Sequence, residues 1–288
     1  MRQLIQNTRV TLEMIKWEHS IFALPFALTG AVLAANGWPS LRTTGLIILC
    51  MVSARTAAMA FNRLVDAEID AANPRTKMRA LPAGALRRGF VAAFTAIAVA
   101  IFLIGCALLN RLCLLLAPIA LAVILGYSFA KRFTRWSHLI LGLALGIAPT
   151  AAWIAVRGSL DPRILVLTLA VLLWVAGFDV LYACQDFDHD SGAGLNSIPQ
   201  AFGVRAAFGI ARGLHGLMLM ALVVLVLLFG LGPLAIAGIG VTAALLLYEH
   251  SIVSPSDLRR LNAAFFTLNG IISVLFFCFI AADVLRRR

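Results

Sequence analysis

The stretch GFVAAFTAIAVAIFLIGCALL, residues 89–109, holds no charged side chain. A helix needs about 20 consecutive apolar residues to cross the hydrocarbon of a bilayer. In lipid every backbone polar group must be satisfied within the protein, which leaves helices or closed barrels. Runs of this kind recur along the chain and predict helices near 20–37, 43–62, 89–109, 112–130, 138–156, 164–184, 207–229, 231–249 and 263–283. The composition agrees: 61% of the 288 residues are hydrophobic and 13% charged, against about 25% charged in soluble domains. The expectation is an all-α polytopic membrane bundle of about nine transmembrane helices, forming one domain over residues 1–288. Pro25, Pro118 and Pro149 interrupt predicted spans, which neighbouring helices in a bundle can tolerate. The division within 207–249 rests only on Gly230, Gly232 and Pro233. The first apolar run starts near Ile21 after a charged amphipathic stretch and reads as a retained span rather than a cleaved leader.

Net charge is +11. In a chain of this hydropathy the excess points to basic cytoplasmic loops and anionic lipid headgroups, not nucleic acid. With the N-terminus inside, most of the basic residues fall in inward loops, notably Arg63, Arg75, Lys77, Arg79, Arg87 and Arg88, then Lys131, Arg132 and Arg135. Nine spans place Arg286, Arg287 and Arg288 on the outer side, against the same tendency. The five cysteines (Cys50, Cys106, Cys113, Cys184, Cys278) lie in or beside apolar segments without metal-ligand spacing and read as small buried hydrophobes.

Against this apolar background two acidic stretches stand out. In FNRLVDAEID, residues 61–70, Asn62, Asp66 and Asp70 are spaced i, i+4, i+8 and share one helical face. In FDVLYACQDFDHD, residues 178–190, Asp179, Tyr182, Asp186 and Asp190 are spaced i, i+3, i+7, i+11, again one face. Each stretch closes an apolar span, and the predicted topology opens both to the same side. Glu68 and Asp188 point off these faces. Like charges at i, i+4 repel, and a divalent cation relieves the repulsion. Mg²⁺ takes oxygen ligands and is commonly held by one or two carboxylates together with substrate phosphates. Two facing acid pairs therefore suit a metal-assisted diphosphate clamp.

Basic residues follow the first acids: Arg75, Lys77 and Arg79 in NPRTKMRALPAG, residues 73–84, suit phosphate oxygens. Tyr127 and Lys131 lie i, i+4 at another inner helix end. Arg55, about three turns before Asp66 in an apolar span, is a functional candidate by its position; it can meet a carboxylate of a second substrate or pair with an acid. Intramembrane acids also mark cation-coupled transporters, but transporters place their key groups near the midplane, whereas these acids sit at one membrane end beside a basic loop. A non-catalytic scaffold has no need of the doubled motif.

These residues resemble the UbiA superfamily of intramembrane prenyltransferases. Asn62, Asp66 and Asp70, then Arg75, Arg79, Leu81, Pro82 and Gly84, match its first motif and the basic L-P-x-G stretch after it. Asp179, Tyr182, Asp186 and Asp190 match its second. The resemblance covers nearly the whole chain. It implies a bundle of nine helices around a central cavity, with Mg²⁺ held by Asn62, Asp66, Asp70, Asp186 and Asp190. It further implies a polyprenyl diphosphate donor contacted by Arg75, Arg79 and Lys131, a prenyl tunnel open to membrane lipid, and a small aromatic acid as acceptor. Asp179 and Tyr182 would shape the reactive centre. Within the superfamily the stretches FALPFALTGA (22–31), LGLALGIAP (141–149) and LLYEHSIVSPSDL (246–258) look most like 4-hydroxybenzoate polyprenyltransferases. Arg63, where many members have Asp, and RALPAG for R-P-L-P-S-G also look like UbiA-like proteins of the futalosine route to menaquinone. The resemblance places the protein in the bacterial inner membrane with its site facing the cytoplasm and implies no obligate protein partner. His19 before the first span is a further candidate for the acceptor. His138 and His215, without ligand-like neighbours in sequence, are expected to be structural. Glu249 and His250 are expected as a polar helix end, and the 191–200 loop as a cap on the cavity.

Overall fold

A computed structural model describes residues 10–11, 13–15, 23–258, 261 and 267–287. His19 and Arg288 lie outside the described residues. The elements used below are α1 (Leu24–Ala35), α2 (Leu41–Val65), α3 (Ala67–Ala72), α4 (Arg88–Leu109), α5 (Arg111–Phe133), α6 (Ser137–Arg157), α7 (Leu165–Ala183), α8 (Phe187–Gly192), α9 (Ile198–Phe202), α10 (Val204–Phe229), α11 (Pro233–Ile252) and α12 (Asn269–Arg286). Among the described residues eight helices are long and apolar enough to cross a membrane, and α1 is a shorter apolar helix within the first predicted span. The bundle is all-α, as the apolar runs predict.

Local chemistry sets the helix ends. The Ser40 hydroxyl accepts from the Thr43 N–H to open α2, and the Asn110 side chain accepts from the Cys113 N–H to open α5, each satisfying a donor that the helix leaves unpaired. Gly230, at φ 56°, ends α10 in the left-handed region, and Pro233 starts α11 in its first turn. The break expected from Gly230, Gly232 and Pro233 therefore falls there. Pro118 and Pro149 remain inside α5 and α6.

Helix α7 is the axis of the bundle. It packs most extensively on α6 and α10, while α1 lies on α6 and α12. Small residues allow the close approach: a Cβ on Gly142 of α6 would stand 2.4 Å from the Leu172 carbonyl of α7, and one on Gly30 of α1 would stand 2.3 Å from the Pro149 carbonyl. Such close backbone contact is a usual means of helix association where lipid removes the hydrophobic drive. Phe26, Trp174, Phe178 and Phe276 form the aromatic centre, with Phe26 and Trp174 ring centroids 5.0 Å apart.

Two expectations need correction. Glu249 is not a solvated helix end: it is 2% exposed, and the Asn269 amide donates to it at 3.3 Å while accepting from the Trp174 indole N–H at 2.8 Å. This chain of bonds locks α7, α11 and α12 together. Cys278 is exposed, unlike Cys50, Cys106 and Cys184, which are buried. His215 is structural as expected, buried between His250 (2.9 Å) and the Trp174 carbonyl (3.2 Å).

Candidate active site

Both acidic stretches end helices at the same end of the bundle. Helix α2 closes at Asp66, whose φ −92°, ψ 5° breaks the helix before α3 resumes. Helix α7 passes through a short 3₁₀ turn, Cys184–Asp186, into α8. The lysine end of α5 and the histidine end of α6 meet them there. Together they enclose a cavity of about 1000 Å³. Asn62, Asp66, Asp70, Asp179, Tyr182, Asp186 and Asp190 all line it, with Arg55, Arg75, Arg79, Tyr127 and Lys131. Lys77 does not: it is exposed and outside the lining, so its place in the sequence after the acids does not carry it to the site. Glu68 also lies outside the lining and pairs with Arg88 at the surface, 3.3 Å away.

The acids and bases interlock across elements. Asp66, 2% exposed, meets Lys131 Nζ at 3.1 Å and Arg132 Nη2 at 3.4 Å, and accepts from the Asn62 amide at 3.0 Å. Asp70, 4% exposed, accepts from Arg79 Nη1 at 2.7 Å. The two motifs are joined through the loop after α3. Arg75 donates through Nε to Asp186 Oδ1 at 2.8 Å, makes a second short bond through Nη2 to Asp186 Oδ2, and reaches the Tyr182 hydroxyl through Nη1 at 3.1 Å. Asn73 donates to the same Asp186 Oδ1 at 3.2 Å. Burial pulls the Arg75 guanidinium down from its ordinary pKa, but the hydrogen bonds and charge of Asp186 and Tyr182 outweigh it, and the net shift is upward. Arg75 stays cationic at any working pH.

Sequence reasoning missed four residues. Arg63 is 7% exposed, lines the cavity and stands 3.9 Å from Asp70 Oδ2. Arg132 and Asn73 bind motif carboxylates, and a signal was available in their adjacency to Lys131 and the first motif. His138, expected to be structural, lines the cavity with Nδ1 at 2.7 Å from Asp179 Oδ2. The 191–200 loop does reach the cavity, through Asn196 and Ser197, and the Asn196 N–H donates to the Lys131 carbonyl at 2.8 Å.

A second cavity of about 330 Å³ continues from the first between α2, α4, α5 and α6. Its lining is almost wholly apolar, and it shares Arg55, Met59, Tyr127, Leu141 and Leu145 with the large cavity. Arg55 stands at the junction, its Nε buried without a hydrogen-bond partner among the described residues.

The donor set suits a hard cation. It offers carboxylate and amide oxygens from two motifs, and Asp70 Oδ2 is buried without a hydrogen-bond partner among the described residues. No group of three or more His, Cys, Asp and Glu side chains converges tightly enough among the described residues to cage an ion alone. The expected five-residue ligand set is thus gathered around one cavity but not closed on one point. Mg²⁺ is commonly held by one or two carboxylates, with a phosphate substrate completing the coordination.

Residues 23–271 match the model of the UbiA prenyltransferase family. A 4-hydroxybenzoate octaprenyltransferase from Alkalilimnicola ehrlichii is 31% identical over 253 residues, covering 86% of this chain and 85% of that protein. One from Vibrio cholerae is 31% identical over 81% of this chain and 82% of its own length. A UbiA homolog from Aeropyrum pernix K1, solved in its apo form, superposes with a TM-score of 0.84 at 34% identity, over 92% of this chain and 98% of that one. A UbiA homolog from Archaeoglobus fulgidus, solved with DMAPP and Mg²⁺, has a TM-score of 0.70 at 21% identity over 96% of this chain and 99% of that one, a likeness of fold. By the reach of that family model and the identity of these relatives, the chain belongs to the UbiA prenyltransferase family.

Proposed function

We propose that the protein transfers a polyprenyl group from polyprenyl diphosphate to the ring of an aromatic acid, 4-hydroxybenzoate first, in quinone biosynthesis. The observation that carries the reading is the junction of a charged cavity, walled by two acid motifs and five cationic side chains, with an apolar cavity that continues from it. A diphosphate with a hydrocarbon tail has the same two-part character. The diphosphate lies against Arg75, Arg79 and Lys131, and the tail enters the space lined by α2, α4, α5 and α6. Held by Asn62, Asp66, Asp70, Asp186 and Asp190, Mg²⁺ would neutralise the charge that develops on the departing diphosphate.

The chemistry is a substitution at the allylic carbon. Its C–O bond breaks and leaves the electron pair on diphosphate. A ring carbon of the acceptor supplies the pair for the new C–C bond, and the proton at that carbon leaves to restore aromaticity. Arg55, at the junction of the two cavities, can bind the acceptor carboxylate. Asp179 and Tyr182 line the wall of the same cavity, and Asp179 is the carboxylate in place to take the ring proton. The protein acts as a single membrane domain in a bacterial cytoplasmic membrane, its site on the side of the basic loops.

A second acceptor reading rests on Arg63. A buried guanidinium on the cavity wall beside Asp70 suits an acid of different shape or charge, as on the futalosine route to menaquinone. To test both, membranes holding the protein are incubated with Mg²⁺, a long-chain polyprenyl diphosphate and a panel of aromatic acids, and the products are identified by mass spectrometry. The reading expects one prenylated acid to dominate. A folded protein that prenylates no member of the panel overturns it.

A further inference from the structure

We infer that His138 is a positioning residue that holds Asp179 as the carboxylate receiving the ring proton. The inference rests on the aryl transfer proposed above. His138 is 3% exposed, so its ring cannot wander into solvent. A backbone N–H can only donate, and the Ile198 N–H points at His138 Nε2 at 3.3 Å. That nitrogen therefore accepts, and the ring proton of a neutral imidazole sits on Nδ1. Nδ1 in turn donates to Asp179 Oδ2 at 2.7 Å. Both bonds of the imidazole are thus assigned by what its neighbours can do.

The consequence is directional. One oxygen of Asp179 is tied to α6, which fixes the rotation of the carboxylate on α7, and Asp179 still lines the large cavity. With Nδ1 donating to Asp179 and Nε2 accepting from the Ile198 N–H, both ring nitrogens are engaged, and Asp179 is left as the group to receive the proton. In the transfer, forming the C–C bond leaves a ring carbon bearing both the prenyl group and a hydrogen. That C–H bond breaks, its electron pair returns to the ring, and the proton passes to Asp179, which becomes a carboxylic acid. The second bond of His138 has a separate effect. Ile198 is the first residue of α9, and Ser197 before it lines the cavity. His138 thus pins that loop at one point while the Lys131 carbonyl pins it at Asn196.

Asparagine and glutamine separate the two bonds. The amide nitrogen of Asn occupies roughly the place of Nδ1, whereas that of Gln reaches toward Nε2. The test uses purified protein with Mg²⁺, geranyl diphosphate, and either 4-hydroxybenzoate or its 3,5-dideuterated form. With His138→Ala we expect kcat to fall on the order of 10–100-fold, while the donor KM stays within about 3-fold of wild type. A deuterium isotope effect on kcat should appear or grow, because removal of the ring proton becomes limiting. His138→Asn should recover most of kcat, and His138→Gln should not. The inference is overturned if His138→Ala keeps wild-type kcat. It is also overturned if kcat falls with no isotope effect and no rescue by Asn, the pattern of a structural loss. A wild-type protein that prenylates neither form overturns the functional reading and this inference with it, and that failure is visible in the wild-type arm alone.

Discussion

Substitution of Gly142 by alanine tests how helix packing sets the chemistry. The added Cβ would stand 2.4 Å from the Leu172 carbonyl oxygen and 3.2 Å from its carbon, whereas ordinary contact starts at 3.4 Å. The obstruction is backbone, so no side chain can swing aside. Helices α6 and α7 must separate by roughly 1 Å, an overpacking strain of about 1–3 kcal/mol. Gly142 is one turn from His138, and Leu172 is two turns from Asp179. The same separation stretches the 2.7 Å His138–Asp179 bond to about 3.7 Å, beyond hydrogen-bonding range. A misplacement of that size can lower activity by about 100-fold. Gly209 is the control: its helix position is exposed and nothing lies within 4 Å of an added Cβ. Thermal unfolding in detergent, followed by tryptophan fluorescence, and prenyl transfer should both separate the two variants. Gly142→Ala should melt lower and turn over slowly, while Gly209→Ala should match or slightly exceed wild type in stability. Equal stability and equal turnover for the two variants would refute the packing argument.

Four further outcomes follow from the site. Arg55→Met should raise the acceptor KM by about 10–100-fold, the loss of a hydrogen-bonded charge worth about 1.5–3 kcal/mol, with donor KM little changed; initial-rate kinetics in both substrates checks this. Arg75→Ala should weaken donor use because it removes the link between the first-motif loop and Asp186, whereas exposed Lys77→Ala should leave kinetics at the wild-type level, read in the same assay. Chelation by EDTA should abolish product formation, and Mg²⁺ should restore it, as followed by released diphosphate. Trp174→Phe keeps an aromatic side chain but leaves the Asn269–Glu249 pair without its indole donor; it should destabilise the bundle by about 1–3 kcal/mol, measured by thermal unfolding.

How much of this was legible before the structure depends on the range of each interaction. The long apolar runs set the spans, because an uncharged stretch of bilayer length has few other options. The acid motifs were equally legible: Asp66 and Asp70, or Asp186 and Asp190, are near neighbours in sequence, and helical periodicity brings each pair to one side. Partners that meet only through the fold left no such mark. Arg75 reaches Asp186 from the loop after α3, and His138 reaches Asp179 from one helix to the next, and nothing local to either residue announces its target. Lys77 shows the converse. It lies between two arginines that line the cavity, yet the turn after α3 leaves it exposed, and a positive charge in a loop reads the same whether it faces substrate or water. Glu249 misled for a related reason: an acid at a helix terminus looks solvated until Asn269 is packed against it.

The central claim is that the two acid motifs, far apart in the chain, form one metal-dependent diphosphate site. The direct measurement is calorimetric titration of an unreactive thiolodiphosphate analogue of geranyl diphosphate into wild type, Asp66→Asn and Asp186→Asn, with and without Mg²⁺. The account predicts Mg²⁺-dependent binding to wild type and its loss in each single variant, since each motif alone presents half of the site. Undiminished, Mg²⁺-dependent binding in either folded variant would contradict it.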